Sequence, residues 1–249
     1  MPVHRLVEMT WEEVRDAARS DSMAILPVGA VEAHGPHLPI GTDTVIAEAM
    51  ARACAETLSA DGNTAFVLPP IWYTAAEFAG DFPGTIGVEG ATVTSMIRQV
   101  AASLAAHGIA TLALANAHLD PAHLESLRAA ASDAPAGTRV VFLDLTRRTV
   151  AERLTDEFRT GACHAGRFEG SVVLAERPNQ FREEIAADLE ANPSSLSDAI
   201  REGRSTFAEA GGPRAYFGWP AEATAEEGRD TVDTLGRMLA EAVVMEGDE

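Results

Sequence analysis

Glu32, His34, His37 and Asp43 fall within twelve residues, in the stretch LPVGAVEAHGPHLPIGTDTVIAE that runs from Leu26 to Glu48. Three glycines and two prolines lie between Gly29 and Gly41. Carboxylates and imidazoles packed this densely between an apolar run and an amphipathic helix suit a divalent metal ion better than a solvated surface. Two further polar clusters follow later: Asn116, His118 and Asp120 after an apolar run from Ile109, then His164 and Glu169. Glu32 and His34 are two apart, so an extended backbone points both to one side, and His118 and Asp120 repeat that geometry. Two such pairs, a bridging carboxylate and a further glutamate are the parts of a binuclear oxygen/nitrogen site. Zn²⁺ or Mn²⁺ suits those ligands, with Fe²⁺ as the alternative. Two such ions can share a hydroxide at neutral pH and polarise a carbonyl facing it.

Several of these residues have a plainer reading. Asp43 sits where a helix N-cap belongs, and Asp120-Pro121 is a normal cap followed by a proline at the first helical position. A lone His34 could simply hydrogen-bond within its glycine-rich loop, but Glu32 and Asp43 beside it favour the ligand. Glu32 is neither a cap nor an obvious surface residue. His37 and His123 read as supports, Phe217 and Trp219 as packing residues, and Cys54 and Cys163 as small buried hydrophobes.

The elements that must position these side chains alternate. Met23 to Val28, Ala65 to Leu68, Ile109 to Ala115 and Arg139 to Leu145 read as buried strands. Helices are expected over Asp43–Ser59, Ala91–His107, 121–132, Thr146–Phe158, Phe181–Glu190 and Thr224–Met245. A capping box at Thr10-Trp11-Glu12-Glu13 opens a short helix to about Ser20, and the segment after His164 turns helical near Ser171. Ile71 to Gly90 and Gly211 to Ala221 read as loops. Strands and helices at this spacing indicate parallel βαβ units, an α/β fold with a mostly parallel sheet covered on both faces. Residues 1–249 are expected to form one domain.

At 249 residues and 46% apolar content the chain can bury a full core. Its formal charge of −19 argues against a nucleic-acid partner and against an anionic membrane surface. No segment approaches eighteen uninterrupted apolar residues, and the N-terminus does not read as a signal peptide. Two cysteines make no disulfide framework. A reduced, cytoplasmic setting is the expectation.

In order and spacing the clusters resemble the creatininase (creatinine amidohydrolase) family. Its Gly-x-x-Glu-x-His-Gly-x-His-Leu-Pro-x-x-Thr-Asp signature is matched by Gly29 through Asp43, and its Phe-Pro-Gly-Thr loop by Phe82 through Thr85. Its Asn-x-His segment is matched by Asn116 through His118. Its His-x-Gly-x-x-Glu-x-Ser segment is His164 through Ser171, and its late Gly-x-Pro loop is Gly218 through Pro220. The resemblance implies a three-layer α/β/α sandwich, a closed homo-oligomer, often a hexamer, and two metal ions per subunit. It implies Glu32, Asp43 and His118 as ligands of one ion. His34, Asp43 and either Asp120 or Glu169 would hold the other, and His164 would be the catalytic histidine.

The chain also departs from the family pattern. Leu119 and Asp120 stand where glycines are usual, Phe78 follows Glu77 where a histidine is common, and no tryptophan-rich loop is evident around Thr160 to Cys163. Glu77, Leu119 and Trp219 are the expected contacts to a small-molecule substrate. The implied function is metal-dependent hydrolysis of a non-peptide C–N bond in a cyclic amide, lactam or formamide. The alternatives are a metal-dependent peptidase of a small precursor peptide and a non-catalytic family member. The last of these predicts gaps among the ligand positions, and none is seen.

Overall fold

The structure is a computed structural model that describes residues 3–19 and 21–245. Its strands are β1 (His4–Arg5), β2 (Met23–Val28), β3 (Ala65–Val67), β4 (Thr111–Asn116) and β5 (Arg139–Phe142). Its helices are α1 (Trp11–Ala17), α2 (Thr42–Ala60), α3 (Gly90–Ala105), α4 (Pro121–Ser132), α5 (Arg148–Ala151) and α6 (Asp156–Thr160), then α7 (Arg167–Glu176), α8 (Glu183–Ala187), α9 (Leu196–Arg201) and α10 (Ala225–Met245). The strands form one parallel sheet in the order β1-β3-β2-β4-β5.

The central strands are apolar on both faces because both faces are covered. On β2, Ala24, Leu26 and Val28 pack with Val93, Ile97 and Ala101 of α3 and Leu127 of α4. Ile25, on the opposite face, packs with Ile46 and Met50 of α2 and Leu235 and Leu239 of α10. The period-two alternation of the strand thus divides the helices into two layers, giving the α/β/α sandwich. The α10 helix lies close against its neighbours at two glycines. A Cβ on Gly236 would fall 2.4 Å from Ala53 Cβ, and one on Gly228 would fall 2.0 Å from the carbonyl oxygen of Ser171.

Register decides where the polar loops emerge. Val28, the last residue of β2, pairs with Asn116, the last residue of β4. The loops carrying Glu32 and His34 and the one carrying His118 therefore leave the sheet side by side, at the carboxyl edge where α/β proteins gather ligands.

Some boundaries differ from expectation. The helix expected over 146–158 is split into α5 and α6, because Thr155 caps α6 through its hydroxyl to the Phe158 N–H. The α7 helix starts at Arg167 rather than near Ser171, and α8 is shorter than expected. Neither β1 nor α9 was anticipated; β1 has only two residues, and its pairing with β3 rather than its own sequence defines it. The expected end of α1, Ser20, lies outside the described residues. Among the described residues no helix is long and apolar enough to cross a membrane.

Candidate metal centre

Between β2 and α2 the chain crosses the sheet edge in a closed loop, with the Glu32 N–H donating to the Ile40 carbonyl at 2.9 Å. Gly35 adopts a left-handed φ of 61° here, and Gly29 runs so close to α2 that a Cβ would sit 2.3 Å from Thr44 Oγ1. Gly41 is the N-cap of α2 and Asp43 is already inside its first turn, so Asp43 is not the cap. Its carboxylate lies at the positive end of the helix dipole, which favours the ionised form.

Glu32, His34, Asp43, His118 and Glu169 are all buried around one point, with His164 beside them. His118 Nδ1 lies 3.1 Å from Glu32 Oε1 and 3.2 Å from Asp43 Oδ2. His34 Nε2 lies 3.2 Å from Asp43 Oδ1 and 3.5 Å from Glu169 Oε2. His164 Nδ1 is 3.8 Å from Glu32 Oε1. In each ring the other nitrogen is committed to a backbone carbonyl. His118 Nε2 reaches Ala75 O at 2.8 Å, His34 Nδ1 reaches Glu32 O at 3.1 Å and His164 Nε2 reaches Ala33 O at 2.9 Å. A carbonyl only accepts, so each of these nitrogens carries the proton and each inward nitrogen of a neutral ring presents a lone pair.

Lone pairs facing carboxylates need a cation between them. Among the described residues, Glu32 Oε2 and Asp43 Oδ2 are also buried without a hydrogen-bond donor, a cost of roughly several kcal/mol per uncompensated ion in a protein interior. Three overlapping groups have ligand atoms within 4.8 Å of one another: Glu32, Asp43 and His118; His34, Asp43 and Glu169; and Glu32, His34 and His164. Carboxylate oxygens and imidazole nitrogens in this arrangement fit divalent metal ions.

The same demand for positive charge shows in the protonation equilibria. Burial alone would lower His34, yet Asp43, Glu169 and Glu32 push it up to about 10. His118 is likewise raised well above its ordinary value, with Glu32 and Asp43 overcoming burial. Burial pushes Glu169 up to about 8 and raises Glu32 as well. Asp43 goes the other way: burial would raise it, but His34 and His118 hold it well below the carboxylate range. Burial and the neighbouring His34 keep His164 well below the usual imidazole range.

Asp120 does not join these groups. Its Oδ1 accepts from Ala122 and His123 N–H as the cap of α4, and its Oδ2 accepts from Glu77 and Phe78 N–H at 2.8 and 3.0 Å. It borders the same cavity with both oxygens already engaged. His123 donates from Nε2 to Asn116 Oδ1 at 2.8 Å and meets the Thr74 hydroxyl at Nδ1. His37 is buried against Phe181 and Tyr216, and burial lowers it to about 4. Leu119 lines the cavity, whereas Glu77 is exposed and neither it nor Trp219 lines it. Trp219 packs against the aromatic cluster around Phe207.

Other residues at the site carried no local signal. Phe207 stacks on His164 with ring centroids 4.2 Å apart, and Leu196 and Ile200 of α9 complete the wall. The pattern Ser195-x-x-Asp198 could have located α9, since the Ser195 hydroxyl caps it at the Asp198 N–H. Glu157 is buried and accepts from three backbone N–H groups, those of Arg167, Phe168 and Trp219, at 2.6 to 2.8 Å. It thereby holds the start of α7, the helix that carries Glu169. Gly218, in the left-handed region, passes so close that a Cβ would fall 2.1 Å from Glu157 Oε1.

The chain is thus a three-layer α/β/α sandwich with a buried carboxylate–imidazole cluster at the carboxyl edge of its parallel sheet. Residues 7–243 match the family model described as creatininase, creatinine amidohydrolase, and the chain belongs to the creatininase family of enzymes. It is 34% identical over 119 residues to the creatinine amidohydrolase of Pseudomonas putida, a match covering 45% of this chain and 44% of that protein. It is 31% identical over 208 residues to the mycofactocin precursor peptide peptidase of Mycolicibacterium smegmatis, covering 83% of this chain and 78% of that one. A crystal structure of creatinine amidohydrolase superposes with a TM-score of 0.73 at 24% identity, over 99% of this chain and 98% of that one.

Proposed function

We propose that this chain is a metal-dependent hydrolase of a non-peptide C–N bond, acting on a cyclic amide, lactam or formamide at a binuclear site. The observation that carries the reading is the set of inward lone pairs facing buried carboxylate oxygens that lack donors. Glu32, Asp43 and His118 would hold one ion, and His34, Asp43 and Glu169 the other. The donors suit Zn²⁺ or Mn²⁺, with Fe²⁺ as the alternative. Such ions supply Lewis-acid polarisation of a carbonyl and a nucleophile available at neutral pH.

The chain's own residues orient and move protons. The carbonyls of Ala75, Glu32 and Ala33 fix the ring orientation of His118, His34 and His164. With its Nε2 proton tied to Ala33, His164 offers Nδ1 to the cavity, the atom that can accept a proton and return it to a leaving amine. The chain contains no lysine, so a Schiff-base route through a lysine side chain has no residue to use.

A second reading, a processing peptidase of a small precursor peptide, draws support from the match to the M. smegmatis peptidase across 83% of this chain. We also read the chain as a homo-oligomer. Ile40 and Trp72, exposed apolar side chains on either side of Gly41, would be covered by a second copy.

Metal analysis with a substrate screen tests the reading. Gently purified protein should carry about two equivalents of Zn or Mn and open a lactam or hydantoin ring or release formate. Less than one equivalent would sink it. Cleavage of precursor peptides with none of the small amides would select the peptidase.

A further inference from the structure

Beyond the metal cluster, the cavity is walled mainly by Phe78, Leu119, Leu196, Ile200 and Phe207, with the hydroxyl residues Thr146 and Ser197 also on its lining. The apolar residues come from three separate segments tied together, with the Phe207 N–H donating to the Phe78 carbonyl at 3.1 Å and the two rings 6.0 Å apart. Phe207 also stacks on His164, so the wall is continuous with the carboxylate–imidazole cluster. Among the described residues no arginine lines the cavity, and the 19 Lys and Arg residues of the chain are all arginine. Asp120, the nearest acid outside the cluster, has four backbone N–H groups on its two oxygens and none to spare for a substrate cation.

We infer that this wall is a specificity subsite for a small, uncharged apolar side group attached to the scissile amide, and that it disfavours substrates bearing a carboxylate there. The inference rests on the metal-hydrolase reading and adds to it the class of substituent. An acidic side group seated on this wall would lose its hydration against five apolar side chains with no arginine beside them to replace the water. An aliphatic group would instead shed water against them, a gain that grows with the area buried. The cavity is small, about 70 Å³, and suits an amide with a short branch.

Three hydroxamates that differ only in side group separate the subsite from the metal. Their affinities for the zinc-loaded protein are read by calorimetry, independently of turnover. Isovalerohydroxamate is expected to bind about tenfold tighter than acetohydroxamate, and the monohydroxamate of succinate no tighter than acetohydroxamate. Ile200→Asp should erase the isovaleryl advantage, and Ile200→Ala, the milder change at a partly exposed position, should reduce it. Equal affinities of the three ligands in the unaltered protein would overturn the subsite while leaving the metal reading intact. Failure of all three to bind protein of measured metal content would overturn both together.

Discussion

With its ring neutral, His118 faces Glu32 acceptor to acceptor. The imidazole Nδ1 is 3.1 Å from the carboxylate Oε1, while the proton of the ring sits on Nε2, 2.8 Å from the Ala75 carbonyl. The contact is repulsive until a proton or a metal ion enters it. His34 repeats the arrangement with Asp43, its outer nitrogen held by the Glu32 carbonyl. The backbone therefore sets which nitrogen looks inward, and the cluster is arranged for positive charge before any arrives.

Metal binding should be visible as stability. At a free Zn²⁺ concentration one hundred times its Kd, the bound ion adds about 2.7 kcal/mol. For a chain of this size that corresponds to a rise in Tm of roughly 5–10 °C. EDTA should reverse it in thermal melts. Asp43→Asn should lose both ions and Glu169→Gln one, as read by elemental analysis; full retention in both variants would rule out the ligand assignment.

Asp120→Ala should separate structure from metal. Removing the cap of α4 costs about 1 kcal/mol, and leaving the Glu77 and Phe78 N–H groups without their acceptor adds about 1–2 kcal/mol. The variant is expected to denature at lower urea yet keep its metal content. Loss of one equivalent would return Asp120 to the ligand set.

Gly228→Ala sets helix propensity against packing. Alanine improves an exposed helix interior by about 1 kcal/mol. Here its methyl would meet the Ser171 carbonyl oxygen at 2.0 Å, and overpacking of this kind costs about 1–3 kcal/mol or more. Net destabilisation is expected, accompanied by weaker metal binding because Ser171 lies two residues after Glu169. An increase in Tm would contradict the close approach of α10 to α7.

Asp144 links stability to pH. Burial would raise its carboxyl, but bonds from the Thr146 hydroxyl and Arg128 hold it below the usual carboxylate range. A depressed folded value contributes stability above the unfolded value of about 3.9 and loses it as pH falls through the folded value. Asp144→Asn should cost about 1–2 kcal/mol at pH 7, given the half-exposed Arg128 partner. The gap between variant and wild type should close below about pH 4, as followed by urea titrations. A gap that persists unchanged at pH 3 would exclude the charge as its origin.

Much of the centre is legible in the linear order of residues because its parts are local. Glu32, His34 and Asp43 share one loop, and the apolar runs that became β2 and β4 place that loop next to His118. What escaped notice acts over distance. The α7 helix begins four residues before its expected position because its first N–H groups are capped by Glu157, ten and eleven residues upstream. Its own N-cap, Gly166, has no side chain to announce a start. Asp120 shows the converse: a residue that reads equally as cap or ligand is resolved by where its second oxygen goes, and that oxygen goes to Glu77 and Phe78, more than forty positions back in the chain. Phe207 could not have been found from sequence, since its position beside His164 comes from tertiary packing alone.

The cluster draws its side chains from positions as far apart as Glu32 and Glu169. An ion arriving during refolding meets a finished site only after β2 has paired with β4 and α7 has docked on α2. Isolated segments offer at best two of the three donors of any one group. The time course of metal uptake is then a clock for long-range assembly, reporting the slowest contacts of the fold through a signal that no single element can produce.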